Sequence, residues 1–201
     1  MGTTTLIDLA GSFLISGLLL LTALQLDQKS IQTTFDSQAG LTVQQNMVGL
    51  IEILQYDFRK IGYCATAGKL PNSAANTFIQ KGDTSTIWFL ADVTNSGNVD
   101  TVKYWLDTAS VPGAANPRVR LLYRQVNSGV PMGSNLGVTQ FNIQYFDAFG
   151  NQIPTPFGAP NQAQYIVLTI RLEPVAAFNA DYSSNFVIWR QTRMVSRNLR
   201  R

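Results

Sequence analysis

The stretch Leu9–Leu26, LAGSFLISGLLLLTALQL, is eighteen residues long, carries no charge and stands between Asp8 and Asp27. A run of about eighteen apolar residues is the shortest that crosses a bilayer core as a helix. A cleavable secretory signal has a basic start and a small-residue cleavage site, and this stretch has neither. We therefore predict that residues 9–26 form a retained membrane segment or the core of a helical assembly.

Apolar residues recur at helical spacing beyond this run, at Met47, Leu50, Ile51, Leu54, Phe58 and Ile61. The spacing predicts one long helix over residues 1–63, whose amphipathic second half lies on a sheet. Gly40 marks the expected place for a kink, because glycine costs a helix interior about 1 kcal/mol relative to alanine. Asp57 and Lys60 are placed off the apolar stripe, as a solvent-exposed pair three residues apart.

The pattern changes to strand-like runs separated by glycine- and asparagine-containing turns. The predicted strands are Thr77–Gln80, Thr84–Ala91, Val99–Leu106, Val119–Val126, Val138–Phe146, Tyr165–Leu172 and Asn185–Val195. In the fifth of these, Phe141, Ile143 and Tyr145 share one side and Val138 takes the other. We predict an α+β fold, in which the long N-terminal helix packs on an antiparallel β-sheet domain over residues 64–201. The low share of charged residues, 13%, favours an exported, extracytoplasmic domain.

The sequence contains no histidine and a single cysteine, Cys64. Histidine-based catalytic sites and thiolate metal clusters are therefore excluded, and no disulfide can form within the chain. Phosphate loops and dinucleotide-binding fingerprints do not occur either. We predict that the protein is not an enzyme and uses no cofactor.

The C-terminal end is basic, with Arg190, Arg193, Arg197, Arg200 and Arg201. No series of aromatic residues for base stacking accompanies these arginines, so we predict an exposed strand end and no nucleic-acid partner.

The segment DVTNSGNVD, Asp92–Asp100, has oxygen-bearing residues at alternate positions and a glycine in sixth place, as a calcium loop has. Asp92, Asn98 and Asp100 are the candidate metal ligands. Lys103 stands at the twelfth position, where a calcium loop has a bidentate glutamate. The alternative is a hairpin turn between two strands.

Asp8 lies at the border of the apolar run, where a carboxylate is costly unless it is paired. We expect it to pair with an amine of a neighbouring copy when helices bundle. Gly11, Ser12, Ser16 and Gly17 are the small residues of this segment, and small residues let helices approach closely. Together with Asp8 they are the predicted assembly residues.

Two motifs resemble a known family. Thr4–Leu9, TTLIDL, followed by the apolar run, resembles the N-terminal signature of type IV pilins and type II secretion pseudopilins, which reads Phe-Thr-Leu-Ile-Glu-Leu after a glycine. Leu54–Tyr63, LQYDFRKIGY, resembles the helix end of the PilW/GspJ-like minor pilins, and the segment from Gly137 to Asn151 is similar to a strand and turn of the same group. Thr3 stands where the family has its processing glycine, and Gly2 stands one place before it.

The resemblance implies a subunit that is held in the inner membrane, with Gly2 and Thr3 as the site for a prepilin peptidase. The subunit would then enter an extracellular filament or a pseudopilus in the periplasm, with other copies or other pilins as partners. Its helices would form the central bundle and its β domains the shell. The alternative is a single-span anchor whose β domain binds a ligand such as a glycan through Trp88, Trp105 and Trp189.

Overall fold

The computed structural model describes residues 2–70, 78–159, 161, 163–177, 182 and 186–194, except for the side chains of 190–194. Among these residues the chain forms helix α1, Gly2–Arg59, and then the strands β1 Ile79–Gly82, β2 Thr86–Ala91, β3 Asp100–Ser110, β4 Arg120–Val126, β5 Met132–Ser134, β6 Val138–Phe146, β7 Gln152–Ile153, β8 Phe157–Gly158, β9 Tyr165–Leu172 and β10 Val187–Met194. Some residues of the predicted strands and of the basic C-terminal end lie outside the described residues. They are Thr77, Asn185, Val195, Arg197, Arg200 and Arg201, together with the side chains of Arg190 and Arg193.

Helix α1 has 58 residues and is continuous. At about 1.5 Å per residue it measures roughly 87 Å, more than one small domain can cover. The helix runs through Gly40, so no turn interrupts it there, and the expected kink stays a prediction. A single glycine costs only about 1 kcal/mol, and helical segments on both sides continue the hydrogen-bonding pattern. The helix ends at Arg59, before the predicted Tyr63, and residues 60–62 form a turn.

The second half of α1 packs on the β domain through one apolar stripe. Its buried apolar residues lie three or four positions apart, as one face of a helix requires: Val43, Met47, Leu50, Leu54 and Phe58. The ring of Phe58 contacts Phe89 on β2 and Tyr104 on β3 edge-on, with ring centroids 5.5 and 5.6 Å apart. Each such edge-to-face pair adds about 0.5–1.5 kcal/mol beyond area burial.

The strands are antiparallel, which confirms the predicted fold class, but they form two sheets. The first has the order β5-β4-β3-β2-β1-β8 and the second β10-β9-β6-β7. Strand β6 pairs with β9 along its length, from Val138 opposite Leu172 to Phe146 opposite Tyr165. The sheets are joined by hydrogen bonds, since Tyr145 Oη donates to the carbonyls of Asp83 and Thr86 at 3.2 and 3.3 Å. The apolar core lies between α1 and these two sheets.

Candidate functional site

The first half of α1 carries a long apolar surface that the rest of the described chain leaves uncovered. Each of its large apolar residues is more than half exposed: Leu6, Ile7, Leu9, Phe13, Leu14, Ile15, Leu18, Leu19, Leu20, Leu21, Leu24 and Leu26. The helix is long and apolar enough to cross a membrane. Apolar surface in water costs about 25 cal/mol per Å². This half of α1 therefore requires lipid or other protein around it.

The predicted assembly residues fall on more than one side of α1. Asp8, Ser12 and Ser16 follow at intervals of four and form one row, which Gly11 borders. Gly17 comes nine residues after Asp8 and so faces about 180° away from it, at 3.6 residues per turn. The Ser12 hydroxyl donates to the carbonyl oxygen of Asp8, so the Asp8 carboxylate keeps its capacity for another partner. The helix thus presents a polar row, with Gly17 on the opposite side.

The predicted processing residues, Gly2 and Thr3, lie in the first turn of α1. The Thr5 hydroxyl donates to the carbonyl of Gly2 at 3.1 Å. Processing at this position stays a prediction.

A buried ionic cluster fastens the end of α1 to the first sheet. Asp57 is only 1% exposed, so its predicted position on the solvated face is wrong. Tyr104 Oη on β3 donates to its Oδ2, Arg124 Nε on β4 lies 2.7 Å from the same oxygen, and Arg124 Nη2 lies 3.2 Å from Oδ1. The sequence contained a signal for this position, because Asp57 comes seven residues after Leu50 and three after Leu54 and so belongs to the buried stripe.

The cluster holds its protons firmly. Burial, together with the adjacent Asp57 carboxylate, raises the pKa of Tyr104 far above its usual value of 10.0. The hydrogen bond to Asp57 raises the pKa of Arg124 above its usual value of 12.5. The phenol therefore stays a hydrogen-bond donor and the guanidinium stays a cation at every physiological pH. The polar atoms of Asp57, Tyr104 and Arg124 bind one another, which indicates that the cluster has a structural role.

Lys60 lies where four oxygen atoms of the hairpin loop and the helix converge. Its Nζ lies 2.7 Å from Tyr56 Oη, 2.9 and 3.3 Å from the carbonyl oxygens of Val93 and Asp92, and 3.0 Å from Asn95 Oδ1, so its three N–H groups are shared among these four acceptors. It also lies 4.4 Å from the centre of the Tyr56 ring, within the range of a cation–π contact. The expected Asp57–Lys60 pair is thus replaced by contacts between Lys60 and the loop at residues 92–98.

The three candidate calcium ligands are engaged with protein donors. Asp92 accepts hydrogen bonds from the backbone N–H groups of Ala65, Ser96 and Gly97 at 3.2, 2.9 and 2.8 Å. Asn98 Oδ1 accepts from Lys69 Nζ at 2.7 Å, and Asp100 Oδ1 accepts from Asn127 Nδ2 at 2.8 Å. The other oxygen of Asp100 is buried and has no hydrogen-bond partner in the described part of the chain. These contacts favour the hairpin interpretation, and the calcium site stays a hypothesis.

The three tryptophans of the glycan hypothesis are divided between the sheets. Trp88 and Trp105 lie on the outer face of the first sheet, where Trp88 is paired with Lys103 and Trp105 stacks on Tyr123 at 5.1 Å. The ammonium groups of Lys81 and Lys103 lie 5.0 and 4.8 Å from the Trp88 ring. Trp189 lies on β10 in the second sheet and packs partly against the core.

Among the residues that the structure describes, no three carboxylate or thiol side chains are grouped closely enough to hold a metal ion. Neither the family models nor the curated proteins searched give a match to this sequence. What supports a function is therefore the geometry of α1 and of the β domain.

Proposed function

We propose that this chain is a structural subunit of a filament of the type IV pilus or type II secretion pseudopilus kind, and that it assembles through the first half of α1. In this proposal the protein is held in the inner membrane by residues 9–26 and later joins a filament in the periplasm or at the cell surface. Its partners are further copies of itself or other pilins, and it catalyses no reaction.

The carrying observation is the division of α1 into two halves with different surroundings. One apolar face of residues 43–58 is buried on the chain's own β domain, through Val43, Met47, Leu50, Leu54 and Phe58, whereas every large apolar residue of 6–26 is more than half exposed. An anchor alone needs only the apolar run. A continuous helix that also forms part of the domain core transmits the position of the β domain rigidly to the apolar segment, as a filament subunit requires.

The driving force for assembly differs from that for folding. Apolar side chains gain little when they leave lipid for a neighbouring helix, so helix association in membranes depends on close packing and on polar pairs. The row of Asp8, Ser12 and Ser16 offers such polar groups on a largely apolar segment. We expect the Asp8 carboxylate to pair with an amine of a neighbouring subunit.

The test is electron microscopy of material sheared from the surface of cells that express the full chain, with N-terminal sequencing of the sheared protein. The proposal expects filaments that contain the chain. Asp8→Ala should reduce their yield, and Asp27→Ala, which removes an acid from the other end of the apolar run, is the matched control. Normal filaments with Asp8→Ala would exclude the role of Asp8, and a chain found only as detergent-soluble monomers would contradict the filament itself.

A second candidate function is an anchored β domain that binds an extracellular ligand such as a glycan. The observation in its favour is the aromatic surface formed by Trp88, Trp105 and Tyr123 on the outer face of the first sheet, flanked by Lys81 and Lys103. Glycan-array binding by the detergent-solubilised chain, compared with a Trp88→Ala/Trp105→Ala variant, tests this function. Binding that the variant loses, without filaments, would favour the anchor.

A further inference from the structure

Lys29 is the only basic residue of the chain before Arg59, and it stands just beyond the apolar run 9–26. Its side chain is exposed on α1, and in the described part of the chain it forms no salt bridge. Asp27 is two residues away, and residues at that spacing do not face each other on a helix. The positions one helical turn from Lys29 carry no acid, since they hold Gln25, Leu26, Gln32 and Thr33. The ammonium group is therefore available to another molecule.

Asp8 is the acid at the other border of the apolar run. The positions one turn from it carry no base, since they hold Thr4, Thr5, Gly11 and Ser12. A carboxylate that leaves water without a cation beside it is costly. Lys29 of the same chain cannot supply that cation, because 21 positions of a continuous helix separate the two residues, about 31 Å at about 1.5 Å per residue. Only another copy can bring Lys29 to Asp8.

The spacing of the two charges matches the thickness of a membrane. The hydrocarbon core of a bilayer is about 30 Å thick. When residues 9–26 span it, Asp8 lies at the inner border and Lys29 at the outer border. A copy that moves outward until its apolar run has left the membrane brings its Asp8 to the outer border, where Lys29 of a copy still in the membrane lies. The movement that entry into a filament requires therefore carries the acid to the level of the amine.

The acid and the amine also lie on neighbouring sides of α1. At 3.6 residues per turn, Lys29 is about six turns beyond Asp8 and rotated from it by about 60°. Ser12 and Thr33, each four residues further along, continue the two positions at the same spacing. One side of the helix thus presents the acid at one level and the amine at a higher level, as a contact between offset parallel copies requires.

The same offset covers apolar surface that lies beyond the membrane segment. Ile31 and Leu41 follow the run 9–26 and are 53% and 58% exposed, so neither is covered by the chain's own β domain. An offset of 21 residues places them level with Ala10 and Leu20 of the neighbouring copy. The apolar run of one copy therefore meets apolar side chains of the next at this level.

We propose that Lys29 of one copy binds the Asp8 carboxylate of the next copy, with the two parallel helices offset by about 31 Å. The inference rests on the proposed filament function and names the amine that Asp8 meets. The acid and the amine come from different levels of α1, so the contact is head-to-tail. Repetition of a head-to-tail contact that does not close into a ring makes an open assembly.

Charge variants of the full chain test the contact through the yield of sheared filaments. Lys29→Gln should reduce the yield by about tenfold or more, because it leaves the buried Asp8 carboxylate without a partner. Lys29→Arg should retain most of the yield. Asp8→Lys combined with Lys29→Asp should restore much of what each single change removes. Asp27→Lys with Lys29→Asp has the same net charge and should restore nothing, and the amount of each variant in the inner membrane is measured in parallel.

Cross-linking measures the offset and leaves both charges in place. In a Cys64→Ser background, two differently tagged chains are co-expressed, one with Ser12→Cys and the other with Thr33→Cys, and sheared filaments are treated with a short bismaleimide. The proposed offset brings these two positions level, so we expect a mixed dimer on a denaturing gel. The control pairs Ser12→Cys with Thr22→Cys, an offset of only about 15 Å, and should give much less product.

The outcomes separate the contact from the function. Normal filament yield with Lys29→Gln, or mixed dimers no more abundant than in the Thr22 control, would overturn the contact while the filament function stands. Filaments that are lost with Asp8→Ala but not with Lys29→Gln would assign a different amine to Asp8 and would also overturn it. A wild-type chain that forms no filaments would overturn both proposals.

Discussion

Arg124 on β4 forms a two-point ion pair with Asp57 near the end of α1, with Nε–Oδ2 and Nη2–Oδ1 distances of 2.7 and 3.2 Å. The two residues are 67 positions apart in the chain, and the carboxylate is almost completely buried. Asp57 thereby fixes both the rotation of the helix and its position along the first sheet.

Asp57→Ala should lower the free energy of unfolding by about 3 kcal/mol, because it leaves the Arg124 guanidinium and the Tyr104 hydroxyl without their shared acceptor. Urea unfolding of the full chain in detergent micelles measures this. Glu52→Ala, on the exposed face of the same helix, should stay within about 0.5 kcal/mol of the wild type. The triple change Asp57→Leu, Tyr104→Phe and Arg124→Met should recover most of the loss. An Asp57→Ala variant as stable as Glu52→Ala would contradict the fastening role.

Stability should fall above pH 10. Burial raises the pKa values of Tyr104 and Tyr145 above their usual value of 10.0, so above this pH the unfolded chain loses phenol protons that the folded chain keeps. The unfolded state then binds fewer protons, and each of these tyrosines lowers stability by about 1.4 kcal/mol per pH unit. Below pH 10 both states are protonated and the contribution is constant. Tyr104→Phe should remove about half of this slope between pH 10 and 12, measured by urea unfolding, and an unchanged slope would contradict the buried phenol.

Gly137→Ala should disrupt the junction between β6 and the end of β9. Gly137 has a φ of 83°, and an added Cβ would lie 2.2 Å from the carbonyl oxygen of Glu173. The left-handed backbone and the overlap together predict a loss of at least about 2 kcal/mol in the free energy of unfolding. Gly40→Ala is the control, because its Cβ would meet nothing within 4 Å and should stabilise the helix by about 0.5–1 kcal/mol. Equal stability of the two variants would count against the described backbone.

Lys60→Met should loosen the loop at residues 92–98, because the ammonium that binds four oxygen atoms is removed. We expect a loss of about 1–2 kcal/mol and faster hydrogen exchange in the loop. Lys69→Met, which removes one hydrogen bond to Asn98, is the control. Loop exchange as slow as in the wild type would contradict this role for Lys60.

Millimolar calcium should leave the unfolding temperature of the wild-type protein unchanged, since Asp92 already accepts three backbone hydrogen bonds. A calcium-dependent rise that a chelator reverses would restore the calcium hypothesis for Asp92, Asn98 and Asp100.

The periodic parts of the fold were predictable from sequence. Strands β6 and β9 have the predicted bounds, because each is a run of β-branched and aromatic residues that ends at turn residues or at a change of composition. The alternation is wrong at one residue. Val138 is buried together with Phe141, since the register shifts between Val138 and Gln140, and a bulge of this kind leaves no mark in a two-residue pattern.

Long-range partners were not predictable. Helical geometry places Asp57 on the same stripe as Leu50 and Leu54. The residues around Asp57 in the sequence do not indicate its partners Tyr104 and Arg124, however, because these lie 47 and 67 residues away. The separation of the strands into two sheets depends on the same kind of distant pairing.

The most direct test of the filament proposal is a helical reconstruction by electron cryomicroscopy of filaments sheared from cells that express the full chain. We expect a central bundle formed by the first halves of α1, with Asp8, Ser12 and Ser16 in contact with neighbouring helices and the β domains on the outside. Filaments whose interior lacks these helices, or a chain recovered only as monomers from the membrane, would contradict it.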